Sequence, residues 1–327
     1  MLGGLLLALS TTLIPQASPS SQHVTPLVPA QHFSPVTVPF EYFNRHIFIT
    51  LTVNGRPGMV FLLDSGTNSN ILSIRTSEQL GLKPVSIKQE KGLGLGSGKV
   101  HIAAAKDIDA RIGDIQIANV MAIVDLQGLE DHFGHREDGI LGFPFLQNFV
   151  VVLDFDKRLL TLLPSKRYNY RGTGDTLSLI RRADSASIPV MLGTGGHTQR
   201  RARVEIDTGS DVTLLLYSRY VHGAHLEGVF MSRPTQQAYG LGGYFPMQLG
   251  LLQSLLMGRT QASHLAIFQL QSDPISASRK DCVGMIGMSL LDQFQKVVFD
   301  VPRGRLIFEL KPANQVSANR AAIPPLP

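Results

Sequence analysis

Apolar residues along this chain fall mostly into runs and alternations of strand length, separated by turn residues. Segments 47–53, 99–105 and 115–124 alternate or run apolar over spans suited to strands rather than long helices. Helical patterning is confined to short pieces, which predicts one helix over 144–149, another over 289–294 and a third starting near Thr76. Mostly β-structure follows.

The pattern also repeats. Val60-Phe61-Leu62-Leu63 runs into Asp64-Ser65-Gly66-Thr67, and Ala202 to Ile206 runs into Asp207-Thr208-Gly209-Ser210. Downstream, Gly139-Ile140-Leu141-Gly142 corresponds to Gly284-Met285-Ile286-Gly287, and each is followed by Leu and Phe at the same offsets (Leu146 and Phe149, Leu291 and Phe294). Each copy then has an apolar strand, an Asp (Asp154, Asp300), a turn and a second apolar strand. Asp207 lies 143 residues after Asp64, and Gly287 lies 145 after Gly142. Two copies of one unit are implied, the first over 40–164 and the second over 176–312, with 165–175 as linker.

Composition sharpens this picture. The chain is 43% hydrophobic and 17% charged, the latter below the roughly 25% of an average globular protein. Its 31 glycines exceed the usual share of about 7%, which suits short strands and tight turns. A net charge of +5 is spread along the chain apart from Arg200, Arg201 and Arg203, so nucleic acid is not an expected partner. The single cysteine, Cys282, excludes an intrachain disulfide and a Cys-rich metal site and reads as a packed small side chain. The apolar run at 2–14 is too short for the roughly 20 residues of a membrane span and reads as a secretory signal, giving an exported protein, periplasmic or secreted. An uncleaved anchor, giving the only expected membrane contact, is the alternative. Residues 18–39 read as a spacer and 313–327 as a loose tail.

One Asp-Ser/Thr-Gly-Ser/Thr tetrapeptide would read as a turn, but two in matched contexts carry chemistry. A strand end holds each Asp rigidly, the Gly lets the loop turn back, and the neighbouring hydroxyls can hydrogen-bond a carboxylate or the facing loop. The chain resembles the aspartic peptidases of the retropepsin-like and pepsin-like superfamily over about residues 40–311, and 138–163 is especially similar to the closing part of a retropepsin-like lobe. The resemblance implies an all-β, bilobal acid-protease fold with two pseudo-two-fold related, barrel-like lobes and few short helices. It implies catalysis by Asp64 and Asp207 through a shared water, with no metal or cofactor. Ser65 and Thr208 would brace the two loops against each other beside Gly66 and Gly209. Thr67 and Ser210 would hydrogen-bond the carboxylates, which favours their ionised form and activity at acid pH.

The family also covers its substrate with a β-hairpin flap. The first half offers Leu93, Gly94, Leu95 and Gly96 within the glycine-rich stretch 92–98, and the second half offers Tyr239, Gly240, Leu241 and Gly242. The stretch 92–98 misses both the dinucleotide and the phosphate-loop patterns. His132 and His135, near Asp131 and Asp138, have a metal-compatible spacing but read as members of a solvated loop. Asp154 and Asp300 read as turn formers, and Arg200 to Arg203 as a solvated hairpin edge. The expected function is a monomeric aspartic endopeptidase acting on peptide or protein substrates. The alternative is a catalytically silent peptide-binding module of the same fold.

Overall fold

The computed structural model describes residues 33–83, 86–91, 99–195, 198–231, 236–271 and 281–312. The first lobe runs through β1 (Val36–Phe43), β2 (His46–Val53), β3 (Arg56–Leu63), β4 (Ile71–Ser73), α1 (Ile74–Gln79), β5 (Ser86–Lys91), β6 (Lys99–Ile112) and β7 (Ile115–Val124). It continues with α2 (Gln127–Phe133), β8 (Gly139–Leu141), α3 (Phe143–Asn148), β9 (Val150–Asp154) and β10 (Leu159–Leu163). The second lobe opens with β11 (Asp175–Ser178), β12 (Ile180–Arg181), β13 (Ala186–Gly195), β14 (Thr198–Ile206), β15 (Leu214–Leu216) and α4 (Ser218–Gly223). It closes with β16 (Gln236–Gly240), β17 (Gly243–Met257), β18 (Thr260–Leu270), β19 (Gly284–Ile286), α5 (Met288–Leu291), β20 (Phe294–Asp300) and β21 (Arg305–Leu310).

The repeat read from the sequence is a repeat in space. β3 pairs in parallel with β8, and β14 pairs in parallel with β19, in equivalent registers (Leu62 beside Ile140, Glu205 beside Met285). The equivalent strands β9 and β20 pair antiparallel, with Val152 opposite Val298, and this pairing of like with like relates the lobes by an approximate two-fold axis. Around it, β11, β21, β20, β9, β10 and β1 form one continuous platform built from both lobes. Its inner face joins a core including Phe61, Leu141, Phe145, Ile206, Ile286 and Phe308, all buried. Val150, Val298 and Ile307 pack on the other face. The fold is thus mostly β and bilobal, with five short α-helices among the described residues.

Several boundaries differ from the sequence reading. β1 begins at Val36 and pairs with β10 from Val36 to Pro39, inside the stretch read as a spacer, because the strand partner of those residues lies far along the chain. The strand expected to end at Ala105 continues to Ile112 through a register shift after Lys106, where Asp107 takes a positive φ of 59°. That bulge lets the ladder pass a polar stretch that breaks the alternation. The helix read over 289–294 occupies only Met288–Leu291, since Phe294 is captured as the first residue of β20. The arginines at 200–203 do lie in a hairpin, paired with β13, with Arg201 and Arg203 exposed, and β14 enters the β19 ladder only from Val204 onward. The signal or anchor, the tail and the glycine-rich stretch with Leu93, Gly94, Leu95 and Gly96 lie outside the described residues.

Candidate functional site

Each loop bearing a candidate Asp leaves a buried strand and is tied at once to the strand parallel to it. Asp64 N donates to Leu141 O at 2.9 Å, and Asp207 N donates to Ile286 O at 2.9 Å. The loops then turn beneath the following glycines. A methyl group on Gly142 would lie 2.8 Å from Thr67 O, and one on Gly287 would lie 2.6 Å from Ser210 O, so a side chain at either position would push its loop away.

The two loops meet and brace one another. Ser65 N donates to Thr208 Oγ1 at 2.9 Å, and Thr208 N donates to Ser65 Oγ at 3.0 Å. The same hydroxyls donate onward across the interface, Ser65 to Ile206 O at 2.6 Å and Thr208 to Leu63 O at 2.8 Å. Both residues are buried, so four backbone groups that water cannot reach are satisfied only while the lobes stay together. The bracing brings each glycine against the opposite carboxyl. A methyl group on Gly66 would lie 2.6 Å from Asp207 Cγ, and one on Gly209 would collide with the Asp64 carboxyl.

Asp64 Oδ1 accepts from Gly66 N at 2.8 Å and Thr67 N at 3.1 Å, and its Oδ2 accepts from Thr67 Oγ1 at 2.5 Å. Asp207 Oδ1 accepts from Gly209 N at 3.0 Å. Ser210 is held through its backbone as Thr67 is: its N donates to Asp207 O at 3.4 Å and its O accepts from Met288 N at 2.7 Å, where Thr67 N donates to Asp64 O at 3.3 Å and Thr67 O accepts from Phe143 N at 2.8 Å. The repeat is therefore faithful in its backbone.

Both carboxyls line a cleft of about 1590 Å³ between the lobes. Leu62 and Ile140 flank it on the first lobe, and Leu215 and Met285 on the second. The hairpin predicted at Tyr239, Gly240, Leu241 and Gly242 forms as the turn between β16 and β17, with Gly240 opposite Gly243, and it too lines the cleft. The solvated-loop reading of the two histidines holds in part: His132 is exposed but lies in α2 and stacks on Tyr239, and His135 lies in the loop after α2 but stacks on Phe48 at 3.8 Å between ring centroids. Flat rings find aromatic faces there that no local pattern announced.

Other contributors carried no sequence signal. His46, buried at the start of β2, places Nδ1 2.7 Å from Asn44 O and Nε2 3.2 Å from Gly209 O, reaching from the first lobe to the second carboxylate loop. Tyr42 donates to Asp292 Oδ2 at 2.8 Å, and burial, with that carboxylate beside it, raises the Tyr42 phenol well above its ordinary range. Arg45 reaches the same oxygen at 3.1 Å, so the two lobes are also clasped at the cleft's rim. Asp138, which precedes the first Gly-Ile-Leu-Gly turn, is fully buried and accepts from Val60 N at 2.8 Å, Thr76 Oγ1 at 3.0 Å and the Arg136 guanidinium at 3.0 Å. Its neighbour Glu137 is buried with neither carboxyl oxygen hydrogen-bonded. Burial, followed by the charges of Glu130 and Asp64, pushes the Glu137 carboxyl up to about 8.

Residues 49–148 match a sequence family described as "gag-polyprotein putative aspartyl protease". No curated protein matches the chain by sequence. Among solved structures, the chain is similar to the aspartic proteinase from Irpex lacteus, with a TM-score of 0.51 and 15% identity, over 85% of this chain and 98% of that one. It is also similar to Basic 7S globulin from soybean, with a TM-score of 0.47 and 12% identity, over 88% of this chain and 97% of that one. Two braced Asp loops under a shared platform, together with the likeness to the Irpex lacteus proteinase, make the chain a two-lobed protein of the aspartic-protease fold, and residues 49–148 of its first lobe match the family described as gag-polyprotein putative aspartyl protease.

Proposed function

We propose that the protein is an aspartic endopeptidase in which Asp64 and Asp207 jointly activate one water. The observation that carries this reading is the reciprocal bracing of Ser65 and Thr208, which sets the glycine of each loop against the carboxyl of the other. The mechanism uses one of these carboxyls ionised and the other protonated. The ionised partner takes a proton from the water as its oxygen attacks the peptide carbonyl carbon. The protonated partner donates to the carbonyl oxygen, where negative charge develops. Transfer of a proton to the amide nitrogen then breaks the C–N bond and releases an acid and an amine. The apolar walls at Leu62, Ile140, Leu215 and Met285 support a preference for apolar side chains around the cut. Export through the apolar run 2–14 and action as a monomer, with both lobes in one chain, belong to the same proposal.

The test is incubation with a peptide library across pH, with Asp64→Asn and Asp207→Asn as controls and a hydroxyl-bearing transition-state mimic as inhibitor. Cleavage abolished by each substitution and suppressed by the mimic is expected. A wild-type protein that binds peptides without cutting them, with affinity unchanged in both Asn variants, would make it a binding module.

A further inference from the structure

The hairpin between β16 and β17 belongs to the second lobe by sequence, yet it rests on the first. Tyr239 and Leu241 pack onto a first-lobe cluster that includes Phe48, Leu62, Leu129 and Ile140. The Tyr239 ring stacks on His132 of α2, with centroids 4.7 Å apart and planes 17° from parallel. Tyr244, across the hairpin, meets both rings edge-on, at 4.9 Å from Tyr239 and 5.8 Å from His132.

The most specific contact lies under the Tyr239 hydroxyl. It occupies the space that a side chain at Gly128 would fill, whereas the ring carbon bearing it, Cζ, would lie 3.4 Å from such a methyl group, an ordinary contact distance. Gly128 sits in α2 and has no left-handed φ to require glycine. Glycine there weakens the helix relative to alanine, so room for the hydroxyl is what the residue supplies. Gly128 and His132 together form a socket for Tyr239, and His132, Tyr239 and Leu241 line the same cleft as Asp64 and Asp207.

We infer that Gly128 and His132 form a socket on the opposite lobe that sets the closed position of the β16–β17 hairpin, the flap that the resemblance implies. Gly128 and His132 are then positioning residues for peptide binding, acting through Tyr239. An extended peptide enters when Tyr239 lifts from α2, and the lid closes over it when Tyr239 reseats. The role in peptide binding rests on the proposed function, but the seating of the lid does not.

The test is a cycle of Gly128→Ala, Tyr239→Phe and the double variant, made in the full chain. It is read by amide hydrogen exchange over 236–247 and by the affinity and KM for a peptide substrate or its hydroxyl-bearing mimic. In Gly128→Ala the new methyl displaces the hydroxyl. The expected result is about five- to tenfold faster exchange in the hairpin, the scale of one lost aromatic seat, with a matching rise in KM and little change in kcat. Exchange in the loops at 64–67 and 207–210 stays at the wild-type level. Tyr239→Phe keeps the ring stack and hence the hairpin's protection. The double variant returns protection to the wild-type level, because removing the hydroxyl makes room for the methyl group. A merely damaged α2 would not be rescued in this way. His132→Ala, which leaves the α2 backbone intact, should also speed hairpin exchange.

Unchanged hairpin exchange in Gly128→Ala, or a double variant no better protected than Gly128→Ala, overturns the inference. A wild-type protein without peptidase activity would sink the proposed function alone, since the exchange cycle reads lid seating directly.

Discussion

Replacing Glu137 by Gln tests how much the first lobe gives up by holding a carboxyl away from water. The substitution preserves shape and removes only the ability to ionise. In the folded protein this carboxyl is pushed up to about 8 by burial, then by the charges of Glu130 and Asp64, whereas in the unfolded chain it titrates near an ordinary 4.5. Below pH 4.5 both states carry the proton and the group has no effect on the folding equilibrium. Between pH 4.5 and 8 the unfolded chain releases the proton and the folded one keeps it, so stability falls as pH rises. The loss is about 1.4 kcal/mol per pH unit and levels off above 8 at about 5 kcal/mol. Glu137→Gln should therefore match its own acid baseline against wild type at pH 4 and gain progressively on it, reaching about 5 kcal/mol by pH 8.5. Urea unfolding of both proteins from pH 4 to 9 measures this difference. A difference that stays flat to within about 1 kcal/mol across that range would refute the reasoning, because linkage allows no pH-dependent gain unless the two states differ in proton affinity.

Two further substitutions probe the scaffold around the carboxyls. Thr208→Val leaves Leu63 O and Ser65 N buried without their partner and should cost about 3 kcal/mol, whereas Thr208→Ser keeps the hydroxyl and should cost about 1 kcal/mol; thermal unfolding separates them, and equal losses would refute the bracing argument. Asp138→Asn replaces a buried carboxylate that faces only donors, the Val60 amide, the Thr76 hydroxyl and the Arg136 guanidinium, and should cost about 3 kcal/mol, lowering the urea midpoint of the first lobe.

Much of this protein was legible as pattern. The repeat predicted two equivalent lobes, and β3 with β8 and β14 with β19 realise it. The paired Asp motifs were placed at strand ends, and Ser65 and Thr208 brace the loops as the resemblance implied. What misled the reading was locality. Residues 36–39 looked like linker because their strand partner, β10, lies more than a hundred residues away. α2 was missed because its short, mixed stretch gains stability from Leu129 buried in a cluster built by other strands.

The amino-acid order alone determined the local units: apolar strands whose alternation permits one buried face, glycines where two loops cross, and an Asp at the end of each repeat's inner strand. These follow from steric and hydrophobic preferences that act over a few neighbouring residues. Only the tertiary structure decided that His46 reaches Gly209, that Glu137 is stranded without a partner, and that Tyr239 seats over Gly128 on the opposite lobe. Each of these depends on two segments distant in the chain arriving at one place, and the chemistry of either segment alone does not name the group it will meet there.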